Sequence, residues 1–162
     1  MVYLTGARIA ASGIVNPVSQ ESLQPAGIDL TLDTIVAFNA PGILSPRERI
    51  IPKGISLEIS EDSYYHIGPG AYRIRFREIV SIPEWGIGFC LPRSSLLRMG
   101  ASLHCAVWDP GYKGRGEALL VVHNPYGIKL TRGTRIAQLV IARLESLPSD
   151  KYRGAFWGEG LT

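Results

Sequence analysis

Tyr72-Arg73-Ile74-Arg75-Phe76 alternates apolar and charged side chains without a break. Successive side chains of an extended strand point to opposite faces, so this period of two buries one face and leaves Arg73, Arg75 and the following Arg77 on the other. That second face reads as solvated or as a contact between subunits. Working outward, Ile55-Ser56-Leu57-Glu58-Ile59 repeats the alternation. Glu117–His123 and Ile136–Leu144 are more continuously apolar and β-branched, the pattern of strands covered on both sides. Turn chemistry separates these runs: Pro41-Gly42, Pro52-Lys53-Gly54, Gly68-Pro69-Gly70, Pro110-Gly111, Pro125-Tyr126-Gly127 and Arg132-Gly133. Short strands between turns, without long helical periodicity, predict an all-β barrel or sandwich. One short helix is predicted over Ser94–Met99, with Ser94 or Ser95 as its cap, Leu96 and Leu97 as its anchors and Gly100 as its end.

The bulk properties narrow the function. A chain of 162 residues with 46% hydrophobic and 19% charged residues suits one globular domain with a sizeable core. Its 18 glycines and 11 prolines are many and imply frequent turns. The net charge of +3 is mild, and no Lys/Arg block is long enough to track a phosphate backbone. An anionic small molecule is therefore the expected partner, in place of a nucleic-acid polymer. Met1–Ala11 lacks the apolar core of a signal peptide, and no apolar run approaches the ~20 residues of a membrane span, so a cytoplasmic protein is expected. Cys90 and Cys105 sit in apolar segments and read as small hydrophobes in a reducing compartment, with a disulfide as the alternative.

Four segments carry candidate chemistry. Leu91-Pro-Arg93-Ser94-Ser95-Leu-Leu-Arg98 places hydroxyls and guanidiniums around a helix start, where backbone N–H groups and forked donors suit phosphate oxygens. A capped surface helix with solvated arginines explains it equally well. Gln24-Pro-Ala-Gly-Ile-Asp29-Leu30 is a turn entering a strand, weak by itself. Ala106-Val-Trp108-Asp109-Pro110-Gly111-Tyr112 holds a carboxylate at a strand end, fit for a general base or for an ordinary turn. Gln138 interrupts an apolar strand, so it either satisfies backbone or reaches a ligand. His66, His104 and His123 are scattered and no metal ligands are assigned. The zinc-deaminase signature, a phosphate-binding Walker loop and a nucleophile elbow are all missing from the sequence.

Taken in order, Gln24-Pro-Ala-Gly-Ile-Asp-Leu, Pro92-Arg-Ser-Ser-Leu-Leu-Arg, Trp108-Asp-Pro-Gly-Tyr-Lys-Gly, Gly133-Thr-Arg-Ile-Ala-Gln-Leu and Tyr152-Arg-Gly-Ala-Phe-Trp-Gly resemble the five-motif series of the dUTPase and dCTP deaminase superfamily. The likeness spans about residues 21–160, and its opening is most similar to archaeal-type dUTPases. The resemblance implies a distorted jelly-roll barrel of the β-clip type that forms homotrimers. Residues 1–147 would make the nucleotidohydrolase domain, and 148–162 a C-terminal arm closing over an active site, expected to be a neighbour's. It implies hydrolysis of dUTP to dUMP and pyrophosphate, with Asp109 as base and Mg²⁺ held mainly by the triphosphate. Arg93, Ser94, Ser95, Arg98 and Gln138 would serve the phosphates. The Ala106–Tyr112 backbone would read uracil, and Tyr112 would pack on deoxyribose. Lys151, Tyr152, Arg153, Phe156 and Trp157 would contribute from the arm.

The family's deaminases need a Glu on the strand after the Asp-Pro-Gly turn. Here either Leu119 or Val121 stands at that position, depending on the anchor, and Glu117 is displaced from it. dCTP deamination, alone or combined with dUTP hydrolysis, is therefore the alternative activity, and a silent nucleotide-binding regulator is the non-enzymatic one. The arm departs from the family pattern by carrying Glu159 where a hydroxyl usually meets the terminal phosphate, and Trp157 where relatives often carry Gln.

Overall fold

The computed structural model describes residues 2–161. Six strands form the continuous path of the eight-stranded main sheet: β1 (Gly27–Ala37), β2 (Gly70–Phe76), β3 (Gly86–Pro92), β4 (Ala101–His104), β5 (Glu117–Val122) and β6 (Arg135–Arg143). Their order across the sheet is β3–β6–β1–β2–β5–β4, with each neighbouring pair antiparallel. β1 is the spine: Ile28–Thr31 pairs with β6 and Leu32–Ala37 with β2, across register irregularities that bend the strand. The far edges then meet. Gly88 in β3 and Trp108, just beyond β4, exchange backbone hydrogen bonds of 2.9 and 3.0 Å, which nearly closes the sheet into a barrel.

Ile28, Leu30, Leu32, Ile35, Ile74, Phe76, Leu120, Leu139 and Ile141 are fully buried inside it. They come from alternate positions, as the period of two requires, except where the irregularity between Leu32 and Thr34 sets Leu32 and Ile35 three apart. The arginine face of β2 is not simply solvated. Arg73 Nε lies 3.2 Å from Glu117, and its Nη atoms donate to the carbonyls of Pro52 and Lys53. Arg75 pairs at 3.3 Å with buried Asp33, which also holds Arg132. Covering that face with in-chain ion pairs is the outcome that strand alternation by itself does not reveal.

Three other expectations change. Ile55–Ile59 forms a strand only at Ile55–Ser56, because only the end of β1 lies alongside it. β5 is fully buried on one face only, with Leu119 and Val121 partly exposed on the other, whereas β6 carries buried residues on both faces, Ile136 and Ala142 besides Ala137, Leu139 and Ile141. The helix runs Ser94–Arg98 with Arg93, not a serine, at its N-cap, and no side chain caps it. Arg93 is extended there and its guanidinium is drawn away to Asp29. A second helix, Gly6–Ala11, had no apolar run to announce it; Thr5 caps it by accepting from the Arg8 amide.

Candidate active site

Trp108 organises the site. It is buried between two strands that can accept it only because they carry glycine. A Cβ on Gly116 would stand 2.5 Å from the indole ring, and one on Gly88 would stand 3.0 Å from the Trp108 Cβ. Asp109 follows and opens the expected turn: the Tyr112 amide donates to the Asp109 carbonyl at 3.1 Å, and Gly111 takes φ +85°, the left-handed position that Pro-Gly supplies. The Asp109 carboxylate has no hydrogen-bond or ion-pair partner among the described residues.

Tyr112 is only 7% exposed. Its ring packs edge-on against Trp108 at 5.3 Å and Tyr152 at 5.8 Å, so it forms a wall and not an open stacking platform. Its hydroxyl donates to Glu159 Oε1 at 2.7 Å. Burial, and then the Glu159 acceptor, push the Tyr112 hydroxyl well above its ordinary range. Burial likewise raises the Glu159 carboxyl; the Tyr112 hydroxyl opposes this and the charge of Glu117 adds to it.

The arm lies along its own chain's hairpin. Tyr152 N–H donates to Pro110 O at 2.8 Å, Gly158 N–H to Lys113 O at 2.7 Å, Arg115 N–H to Glu159 O at 2.9 Å, and the Trp157 indole to Gly111 O at 3.2 Å. Between arm, hairpin and sheet is a cavity of about 290 Å³. This is near the lower end of small-molecule pockets, ~300–1,000 Å³. The hairpin contributes Ala106–Asp109 and Tyr112; the sheet contributes Arg73, Gly116 and Glu117; the arm contributes Tyr152, Phe156 and Glu159. Arg49 sits over the Phe156 ring at 5.6 Å. A second concavity, about 460 Å³, is lined by Gly111, Lys151, Tyr152, Arg153 and Trp157, although the Lys151 ammonium is paired with Glu84.

The other sequence-predicted residues form a separate group. Asp29, 1% exposed, is met by Arg93 at 3.0 Å, Arg135 at 3.5 Å and the Gln24 amide at 3.0 Å. Burial raises its carboxyl and the two arginines pull it back. Its second oxygen has no partner. Gln138 pairs across the strands with Asp29 and with Leu91, beside the exposed first turn that holds Ser94 and Ser95; Arg98 is in the last turn. None of Arg93, Ser94, Ser95, Arg98 or Gln138 lines the Asp109 cavity. One copy of the chain thus carries a nucleoside-sized cavity and a cationic, hydroxyl-bearing corner that do not share a wall.

Sequence reasoning passed over Asp33, read Arg73 as part of a solvated or intersubunit face, and gave Glu117 no role in the site. The Arg73–Glu117 pair has a signal only in hindsight: two opposite charges at outward positions of strands that the fold makes neighbours. The cysteines are free, Cys90 buried and Cys105 partly so. Among the described residues no three His, Cys, Asp or Glu side chains gather as a metal cage. Among the described residues no helix is long and apolar enough to cross a membrane.

Comparison with known proteins agrees with this architecture. The family model described as dCTP deaminase-like matches residues 5–144. A protein of Aeropyrum pernix named probable deoxyuridine 5′-triphosphate nucleotidohydrolase is 49% identical over 99% of this chain and 100% of its own. A Methanosarcina mazei protein of the same name is 41% identical over 89% of this chain and 86% of its own. Among solved structures, a 2′-deoxycytidine 5′-triphosphate deaminase from Agrobacterium tumefaciens superposes with TM-score 0.69 at 19% identity over 86% of this chain, which spans about half (47%) of that longer chain. A native EIAV dUTPase superposes with TM-score 0.52 at 16% identity, covering 95% of this chain and 97% of its own. The two superpositions bear on the fold alone. The family match and the full-length identity decide membership: the chain belongs to the dCTP deaminase-like family, which it shares with relatives named deoxyuridine 5′-triphosphate nucleotidohydrolases.

Proposed function

We propose that the protein hydrolyses dUTP to dUMP and pyrophosphate. The observation that carries this is the state of the Asp109 carboxylate. Asp29, Glu117 and Glu159 are each engaged by a neighbour, whereas Asp109 stands at the cavity with its side-chain oxygens uncommitted among the described residues. A general base needs such a free lone pair within reach of the water it activates. Asp109 takes the proton of a water as that water attacks the α-phosphorus, and pyrophosphate leaves. The positions at which a deaminase of this family carries its Glu hold Leu119 or Val121, which cannot move a proton. The full-length relatives named for dUTP hydrolysis support the same choice.

A Mg²⁺ ion would arrive on the triphosphate, held mainly by its oxygens and by water. Such an ion, when bound, supplies charge against the developing negative charge of the phosphates. Phosphate contacts fall to Arg93, Ser94, Ser95, Arg98 and Gln138, and base contacts to the Ala106–Tyr112 segment. Arg153 and Trp157 of the arm border the second concavity and would meet the phosphate end, with Lys151 freed from Glu84.

The test is a product assay. Incubated with dUTP and with dCTP in the presence of Mg²⁺, the protein should release pyrophosphate from dUTP. Ammonia from dCTP would establish deamination in its place, and no product from either would leave a nucleotide-binding role.

A further inference from the structure

The Asp109 cavity contains one carboxylate that the proposed hydrolysis does not use. Glu117 opens β5 and lines the cavity together with Gly116 and Ala106–Trp108. It is not a drifting surface acid. Arg73 Nε holds its Oε2 at 3.2 Å, and Arg73 is itself moored by its two donations to Pro52 O and Lys53 O, at 3.1 and 2.7 Å. Glu117 is also felt electrostatically at both Tyr112 and Glu159, on the far walls of the same cavity. Its Oε1 has no hydrogen-bond partner among the described residues. The site therefore places a carboxylate, held by an ion pair, on the wall of the cavity.

We infer that Glu117, positioned by Arg73, is the residue that selects uracil over cytosine, by accepting a hydrogen bond from the pyrimidine N3–H. This rests on the dUTP reading given above. The reasoning is chemical. An ionised carboxylate can only accept. Uracil presents N3–H, a donor, to such a group. Cytosine presents the bare N3 lone pair, so acceptor meets acceptor in a partly desolvated site. A site built around one such bond disfavours the analogue that lacks the donor, because the acceptor that the bound base covers is left unpaired. Thymine carries the same N3–H as uracil, so Glu117 does not discriminate between those two. Arg73 donates through its two Nη atoms to the Pro52 and Lys53 carbonyls, lies beside Glu117 as an ion pair, and acts through Glu117 as a positioning residue.

The experiment compares wild type with Glu117→Gln, an isosteric change at a partly exposed position whose folding is checked by thermal melting. The amide can turn its N–H to cytosine N3 or its oxygen to uracil N3–H. The kcat/KM values for dUTP, dCTP and dTTP are measured, along with the Kd of dUMP, dCMP and dTMP. The dUTP/dCTP ratio should fall about tenfold or more in the variant, the scale of one hydrogen bond to a charged group, with the dUTP/dTTP ratio unmoved. Arg73→Lys, which keeps the charge but loses the fork, should shift the dUTP/dCTP ratio in the same direction by less. A wild-type enzyme that hydrolyses dUTP with an unchanged dUTP/dCTP ratio in Glu117→Gln overturns this inference and leaves the dUTP reading standing. A ratio that rises overturns it as well, because the carboxylate would then face position 4 of the ring. A wild-type protein that neither hydrolyses dUTP nor binds dUMP overturns both.

Discussion

At the scale of single residues, the site separates carboxylates by their engagement. Asp109 is free to take a proton, Glu117 is clamped, and Glu159 is tucked under Tyr112. Asp109→Asn should lower turnover of dUTP by about 100-fold or more, the usual scale of a lost general base, while nucleotide binding survives. Steady-state kinetics alongside calorimetric binding separates the two, and near-normal turnover would reduce Asp109 to a turn residue. Glu159 gives a pH dependence. Burial raises its carboxyl above the ordinary 4.5, so the docked arm favours the protonated form. That contribution to docking is complete below 4.5 and is lost as pH rises through the raised value. The indole N–H resonance of Trp157, whose proton goes to Gly111 O only when the arm is docked, should report looser docking from acid to neutral pH. Glu159→Gln should flatten that profile. Asp109 was legible in the sequence because a turn signature and an ordered motif series single it out. Glu117 was not, because its meaning depends on Arg73, a partner 44 positions earlier that only strand pairing brings beside it.

At the scale of elements, the hairpin and the arm make the cavity together. The hairpin's place is set by Trp108, which fits only where Gly88 and Gly116 leave room. Gly116→Ala should push the indole outward and destabilise the protein by about 1–3 kcal/mol, the range for overpacking a filled site. Denaturant unfolding measures that loss, and a parallel drop in kcat would show that Asp109 moved with its neighbour. The strands themselves were readable from alternation, and β2 begins only two residues before the run that predicted it. What alternation could not supply was the occupant of the outer face. β2 reads as solvated in isolation, yet Glu117, Asp33 and two loop carbonyls cover its arginines. The Ser94–Arg98 helix was placed correctly but its cap was not, since Arg93 is held by an ion pair to a strand 64 residues earlier.

At the scale of the whole molecule, one copy of the chain leaves its chemistry divided. Arg93, Ser94, Ser95, Arg98 and Gln138 stand on the β3–β6 side, and the Asp109 cavity opens elsewhere. On the proposed dUTP reading, a triphosphate nucleotide would have to meet both. The outer faces of the strands also carry apolar side chains without cover: Phe89 and Leu91 on β3 and Leu97 on the adjoining helix are 39%, 57% and 52% exposed. These lie next to Arg93, Ser94 and Ser95 in the chain. Association that covers them brings another copy's surface to Arg93 and Ser94, and a closed ring of identical contacts satisfies every copy at once. A homotrimer in solution is the expected state, read by sedimentation equilibrium. Leu91→Glu should place a charge in that contact and shift the mass toward monomer. If the active site is shared, turnover falls with dissociation and recovers when the variant is mixed with Asp109→Asn, because each then supplies the half the other lacks. A monomeric wild type with full turnover would require both halves of the site to come together within one chain.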